Sequence, residues 1–162
     1  MKRITMCLAA ALLAAACAKK PAANTGTQTG TQAGSGAITP AAGELPVGTW
    51  HVTAISDGKG GMQNVVGDRP LTAEFSHGAA GDTIGGNAGC NHFGGPVTIN
   101  GGKLAWGALA ITEMACVDNN MMTQEGAYMR ALNASTSFAV VAAGLEFHDA
   151  AGAITLTMQK AP

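Results

Sequence analysis

The tightest constraint on this chain is a pair of cysteines. Cys90 lies in the stretch GGNAGCNHFGG (85–95), and Cys116 closes ITEMAC (111–116). Both follow an N-terminus with the features of an export signal, and a lone cysteine pair in an oxidising compartment forms a disulfide. Such a bridge closes a loop of about 25 residues, worth roughly 3–4 kcal/mol in the chain-entropy model. That is a large share of what keeps a small domain folded. Any architecture for the chain has to bring Cys90 and Cys116 side by side.

The export features are read from MKRITMCLAAALLAAACAKK. Lys2 and Arg3 precede an apolar run over 4–16 that ends in small residues. A run of about thirteen residues is too short for a stable membrane span and fits a secretory signal peptide, 1–16. Small residues at its end suit an ordinary signal peptidase. Ala14-Ala15-Ala16-Cys17 also resembles the bacterial lipobox, in which Cys17 becomes the diacylated first residue, although Leu13 stands one step further from the cysteine than usual. Residues 17–44 then form a linker rich in Ala, Gly, Thr, Gln and Pro, with the small repeat TGTQTGTQ. This composition buries too little apolar surface to offset its ordering entropy, so it reads as a disordered tether. Ala18, rather than an acidic residue, after Cys17 points to an outer-membrane anchor with the domain facing the periplasm. Cys7 leaves with the signal, which leaves Cys90 and Cys116 as the remaining pair.

Charge narrows the partners. From Glu44 onward ten acidic residues stand against five basic ones (Lys59, Arg69, Lys103, Arg130 and Lys160), an excess of five negative charges. A domain of that sign is a poor phosphate binder, which argues against nucleic acid. The charged content of 12% and the 23 glycines favour short strands and turns over long charged helices.

Periodicity supplies the elements. In 48–56 Trp50, Val52 and Ala54 alternate with His51, Thr53 and Ile55, and in 70–76 Leu71, Ala73 and Phe75 alternate with Thr72, Glu74 and Ser76. Both patterns are half-buried strands. A third strand starts at 82–86, and PVTINGGKLAWG (96–107) is a hairpin turning at Asn100-Gly101-Gly102. After Cys116 the period changes. Asp118, Asn119 or Asn120 caps a helix in which Met121, Tyr128 and Leu132, with Met122 and Met129, mark the apolar side. Three strand patterns joined by glycine turns close the chain over 136–160. The inventory is about eight short strands and one helix. It predicts an α+β, mainly β domain over 45–162: a curved antiparallel sheet or open barrel-like sheet with one packed helix.

Chemistry is sparse. The histidines His51, His77, His92 and His148 have no paired-ligand spacing for zinc, so neither a metal nor a cofactor is expected. No Gly-x-Ser-x-Gly elbow or phosphate loop is present. Cys90 beside His92 suggests a thiol nucleophile only if the cysteine is free. Glu125 reads as a helix-surface residue near the dipole's positive end. Of the eight methionines, Met1 and Met6 go with the signal peptide and Met121, Met122 and Met129 stand at core-compatible helix positions, so core packing explains them better than a copper site or a flexible groove.

Gly89-Cys90-Asn91-His92-Phe93-Gly94-Gly95, then ITEMAC, then a helix with Glu125 and YMRAL resembles the META/HslJ-like domain of bacterial envelope lipoproteins. The first strand GTWHVTAI and the closing GLEFHDAAGAITLTMQK fit the same pattern. The resemblance implies a β-rich, barrel-like sheet with a helix, and roles in stress response, antibiotic resistance, motility and secretion. It carries no catalytic residues over to this chain. Two expectations follow. One is a non-enzymatic, monomeric, lipid-anchored module that contacts another envelope protein, with His92 and Phe93 as candidate contact residues at the tip of the stapled turn. The other is a barrel that binds a small apolar ligand or lipid between Trp50, Phe75 and Trp106.

Overall fold

A computed structural model describes residues 43–162. The signal peptide, Cys17 and nearly all of the linker lie outside the described residues. The elements in chain order are β1 (Gly48–Ser56), β2 (Met62–Asn64), β3 (Thr72–Gly78), β4 (Gly81–Asn87), β5 (His92–Asn100), β6 (Lys103–Trp106), β7 (Ala110–Ile111), α1 (Asn119–Ala134), β8 (Ser137–Val141), β9 (Gly144–His148) and β10 (Ile154–Lys160). All the strands are antiparallel to their neighbours and belong to one sheet, ordered β10-β9-β8-β6-β5-β4-β3-β1-β2. Pairing of β10 with β1 turns this path into a ring, and β7 adds to β5 beside β6.

The ring is uneven. Between β6 and β8 the ladder shrinks to the single pair Lys103–Ser137. There the backbone bonds Leu104 N to Thr136 O (2.9 Å) and Phe138 N to Gly102 O (3.0 Å) hold the joint. The sheet is therefore ring-like without being a regular barrel, as the strand inventory led one to expect.

Alternation in the sequence places the core. Trp50, Val52 and Ala54 of β1 and Ala73 and Phe75 of β3 point inward and are buried, with Leu71 just before β3. A bulge between Val52 and Ala54 breaks the period of β1, so Ile55 is also buried. A bulge makes two residues oppose one and thereby re-aims the next side chain. Phe75 stacks on Phe147 (centroids 6.1 Å apart), and Trp106 and Phe138 tilt onto the same ring.

Helix α1 packs on β1 and β10. Of the three capping candidates, Asp118 is the N-cap: its carboxylate accepts from Asn120 N (2.8 Å) and Met121 N (3.4 Å). The buried stripe of the helix is Glu125, Tyr128, Ala131 and Leu132. Tyr128 meets Phe93 edge-on (5.6 Å) and donates its hydroxyl to Thr72 O at 3.1 Å. Met122 is 38% exposed, so the apolar side of the helix is narrower than the methionine spacing indicates.

Candidate functional site

GGNAGCNHFGG resolves into three parts. Gly85 to Asn87 end β4, residues 88–91 turn, and His92 opens β5. The turn is closed by Ala88 N to Asn91 O (2.7 Å) and by the Asn87 side chain, which accepts from Gly89 N at 2.6 Å. Gly89 has φ +117°, and a Cβ there would press on the Leu71 and Met121 side chains at 3.3 Å each. Gly86 is required for another reason: a Cβ would collide with the Thr72 carbonyl.

Beneath the turn sits a carboxylate. Glu125, only 6% exposed, accepts Cys90 N (3.1 Å) and Asn91 N (2.7 Å) on Oε2 and Asn91 Nδ2 (2.8 Å) on Oε1. Its assignment to the helix surface is therefore corrected. The residue lies between Met121 and Tyr128 on the inward stripe, and the turn's backbone donors compensate its desolvation.

Asn91 carries the network outward. Its Oδ1 accepts Thr112 Oγ1 (2.8 Å) and Met114 N (2.7 Å), and its Nδ2 also donates to Met114 O (3.3 Å). Thr112 adds a two-way bond with His92: its N donates to His92 O (2.9 Å), and its Oγ1 accepts His92 N (3.1 Å). Asn91 thus fixes a segment more than twenty residues away. The disulfide Cys90–Cys116 completes the hold, with Cα atoms 5.9 Å apart. Among the described residues no buried side-chain polar atom lacks a partner.

The segment 107–118 held in this way contributes no buried residue of its own. Leu109 packs partly against the core, while Ile111, Met114 and Val117 are 41%, 50% and 102% exposed.

The other expected site residues separate. His92 is exposed, but Phe93, the next residue on an alternating strand, is 5% exposed and belongs to the core. Phe93 is accordingly corrected from contact residue to core residue. Trp50 is buried, donates Nε1 to Pro46 O (3.1 Å) and lies under Lys160 Nζ (4.9 Å). Phe75 is stacked in the core, and Trp106 donates Nε1 to Ser135 O at 2.8 Å. The three rings are engaged by protein groups. The clefts on the described surface have other linings: Val66, Arg69, Asp118 and Gln124 at the start of α1, Gln63, Asn64 and Thr123 between β2 and α1, and Glu44, His77, Asp82 and Asn100 near Gly43.

In the last of these clefts His77 Nδ1 and Asp82 Oδ1 pair at 2.5 Å. The hydrogen bond to Asp82 raises the His77 pKa above 6.5, helped by the Leu45 backbone and Glu44. Among the described residues no group of three or more His, Cys, Asp or Glu is placed to hold a metal ion.

A closed antiparallel sheet with one helix across it, stapled between the β4–β5 turn and the segment leading to the helix, defines a small α+β domain. The family model for the META domain matches residues 43–162, and the chain belongs to that family. No curated protein is significantly similar to it. Among solved structures it is similar to the NMR structure of a protein from Burkholderia xenovorans, with a TM-score of 0.59 and 26% identity. That match covers 82% of this chain and 99% of the other.

Proposed function

We propose that the chain is a non-enzymatic envelope protein, tethered by lipid at Cys17 and acting through contact with another envelope protein in envelope maintenance, stress or antibiotic tolerance. One observation carries the preference for contact over catalysis. The two groups best suited to chemistry at the GCN turn are both engaged in holding a loop. Cys90 is bonded to Cys116, and the Glu125 carboxylate is occupied by three N–H donors. A nucleophile needs a free thiolate and a base needs a free lone pair aimed at substrate. Membership of the META family agrees with this reading without specifying a partner.

The tether is tested by replacing Cys17 with Ser and separating membrane from soluble fractions. Sorting of the wild type to the outer membrane and release of the variant support the anchor; equal membrane retention overturns it. The alternative, a barrel holding an apolar ligand or lipid, is tested by native mass spectrometry of the detergent-purified domain. A stoichiometric co-purifying mass would displace the contact reading, whereas bare protein is expected with Trp50, Phe75 and Trp106 packed as they are.

A further inference from the structure

The segment 107–118 poses a problem of economy. None of its residues is buried, yet it is tied down by a disulfide, by four side-chain hydrogen bonds to Asn91 and His92, and indirectly by Glu125 beneath them. Ordering a chain costs conformational entropy at every residue, and a segment that meets the core only through the half-buried Leu109 recovers little of it by burial. What the fixation does achieve is display. Ile111, Met114 and Val117 are exposed on it, and Met122, whose amide donates to Asp118 O in the first turn of α1, adds an exposed apolar side chain just past its end. Isolated exposed apolar residues are ordinary, but a group of them on a pinned loop marks an interaction surface.

Charge selects the occupant. The charged residues of the segment are Glu113 and Asp118, and no lysine or arginine occurs between Lys103 and Arg130. At the start of α1 the adjoining cleft adds Asp68 and Arg69, which offset each other. The rim is therefore negative. It is repelled by an anionic lipid surface, and in a symmetric self-pairing it would face its own Glu113 and Asp118.

We infer that the outward face of segment 107–118, with Met122, is a docking surface for a protein partner that offers an apolar cleft rimmed by lysine or arginine. This rests on the contact reading above and gives it a place. The staple and the Glu125–Asn91 network act as positioning groups that hold the face in its binding shape before the partner arrives, which reduces the ordering cost of association.

The test uses the full-length exported chain with a photoreactive residue at Val117, and a second chain with the same probe at Val140, an exposed apolar residue of β8 (52%). Thiol titration showing Cys90 and Cys116 blocked establishes that each chain is folded. The Val117 probe is expected to yield an adduct with a different protein. The cross-linked peptide should lie among apolar residues flanked by Lys or Arg, and Ile111→Asp with Met114→Asp should cut the adduct at least tenfold. An adduct with a second copy of the chain, an adduct with lipid, or one indifferent to those substitutions overturns the proposal. A protein adduct confined to Val140 overturns this face and leaves the contact reading standing, while no protein adduct from either position removes both.

Discussion

Glu125 is the residue on which the turn depends. Its two oxygens accept from Cys90 N, Asn91 N and Asn91 Nδ2 while nearly buried. Gln at this position keeps the volume but converts one acceptor into a donor facing donors, and leaving a buried polar group unmatched costs about 1–3 kcal/mol. Glu125→Gln should lower stability by about that amount in urea unfolding, and Glu125→Ala by more, since it strands the turn's donors and opens a void. In the sequence Glu125 reads as a helix-surface residue, because the donors that let a carboxylate sit on the inward stripe belong to a backbone turn some thirty-five residues away. At His77 the sign of the pH dependence follows from the raised pKa: its contribution is fully present below the unfolded value near 6.5 and is lost as pH rises through the folded value. With a side chain 41% exposed, the pair adds little stability. An NMR titration should place His77 above 6.5 in the wild type and bring it back toward that value in Asp82→Asn.

At the scale of elements, alternation revealed the long strands and missed the short ones. Three residues in β2 and two in β7 cannot display a period. The start of β5 was hidden differently: Gly94 and Gly95 look like a loop, yet they are ladder residues paired with Gly85 and Ile84. A Cβ at Gly95 would press to within 2.6 Å of the Ala108 carbonyl oxygen, so glycine here serves close backbone approach. The helix was readable from its cap and its stripe. The staple joins the turn before β5 to the segment after β7, two strands that backbone pairing alone links weakly through only two residue pairs. Replacing Cys90 and Cys116 together by Ser should cost roughly 2–5 kcal/mol, measured as a shift in the denaturation midpoint. Under reductant the wild type should move toward the same midpoint.

For the whole molecule, the ring closed by β10 on β1 supplies a core in which every large aromatic side chain is packed or hydrogen-bonded. The strand inventory led to the mainly β architecture, and the cysteine pair to the staple. The uneven joint at Lys103–Ser137 depends on how α1 and the turn after it pack and leaves no local pattern. The ring forms the platform, and Glu125, Asn91 and the staple hold segment 107–118, the face proposed above for docking, on its surface. The claim that this exposed segment is held fixed is tested most directly by hydrogen exchange at Thr112 and Met114, whose amides donate to His92 O and Asn91 Oδ1. Both amides should exchange slowly in the oxidised wild type and at least tenfold faster in Glu125→Gln or after reduction of Cys90–Cys116. Exchange at the rate of an unstructured loop in the oxidised wild type would contradict the account.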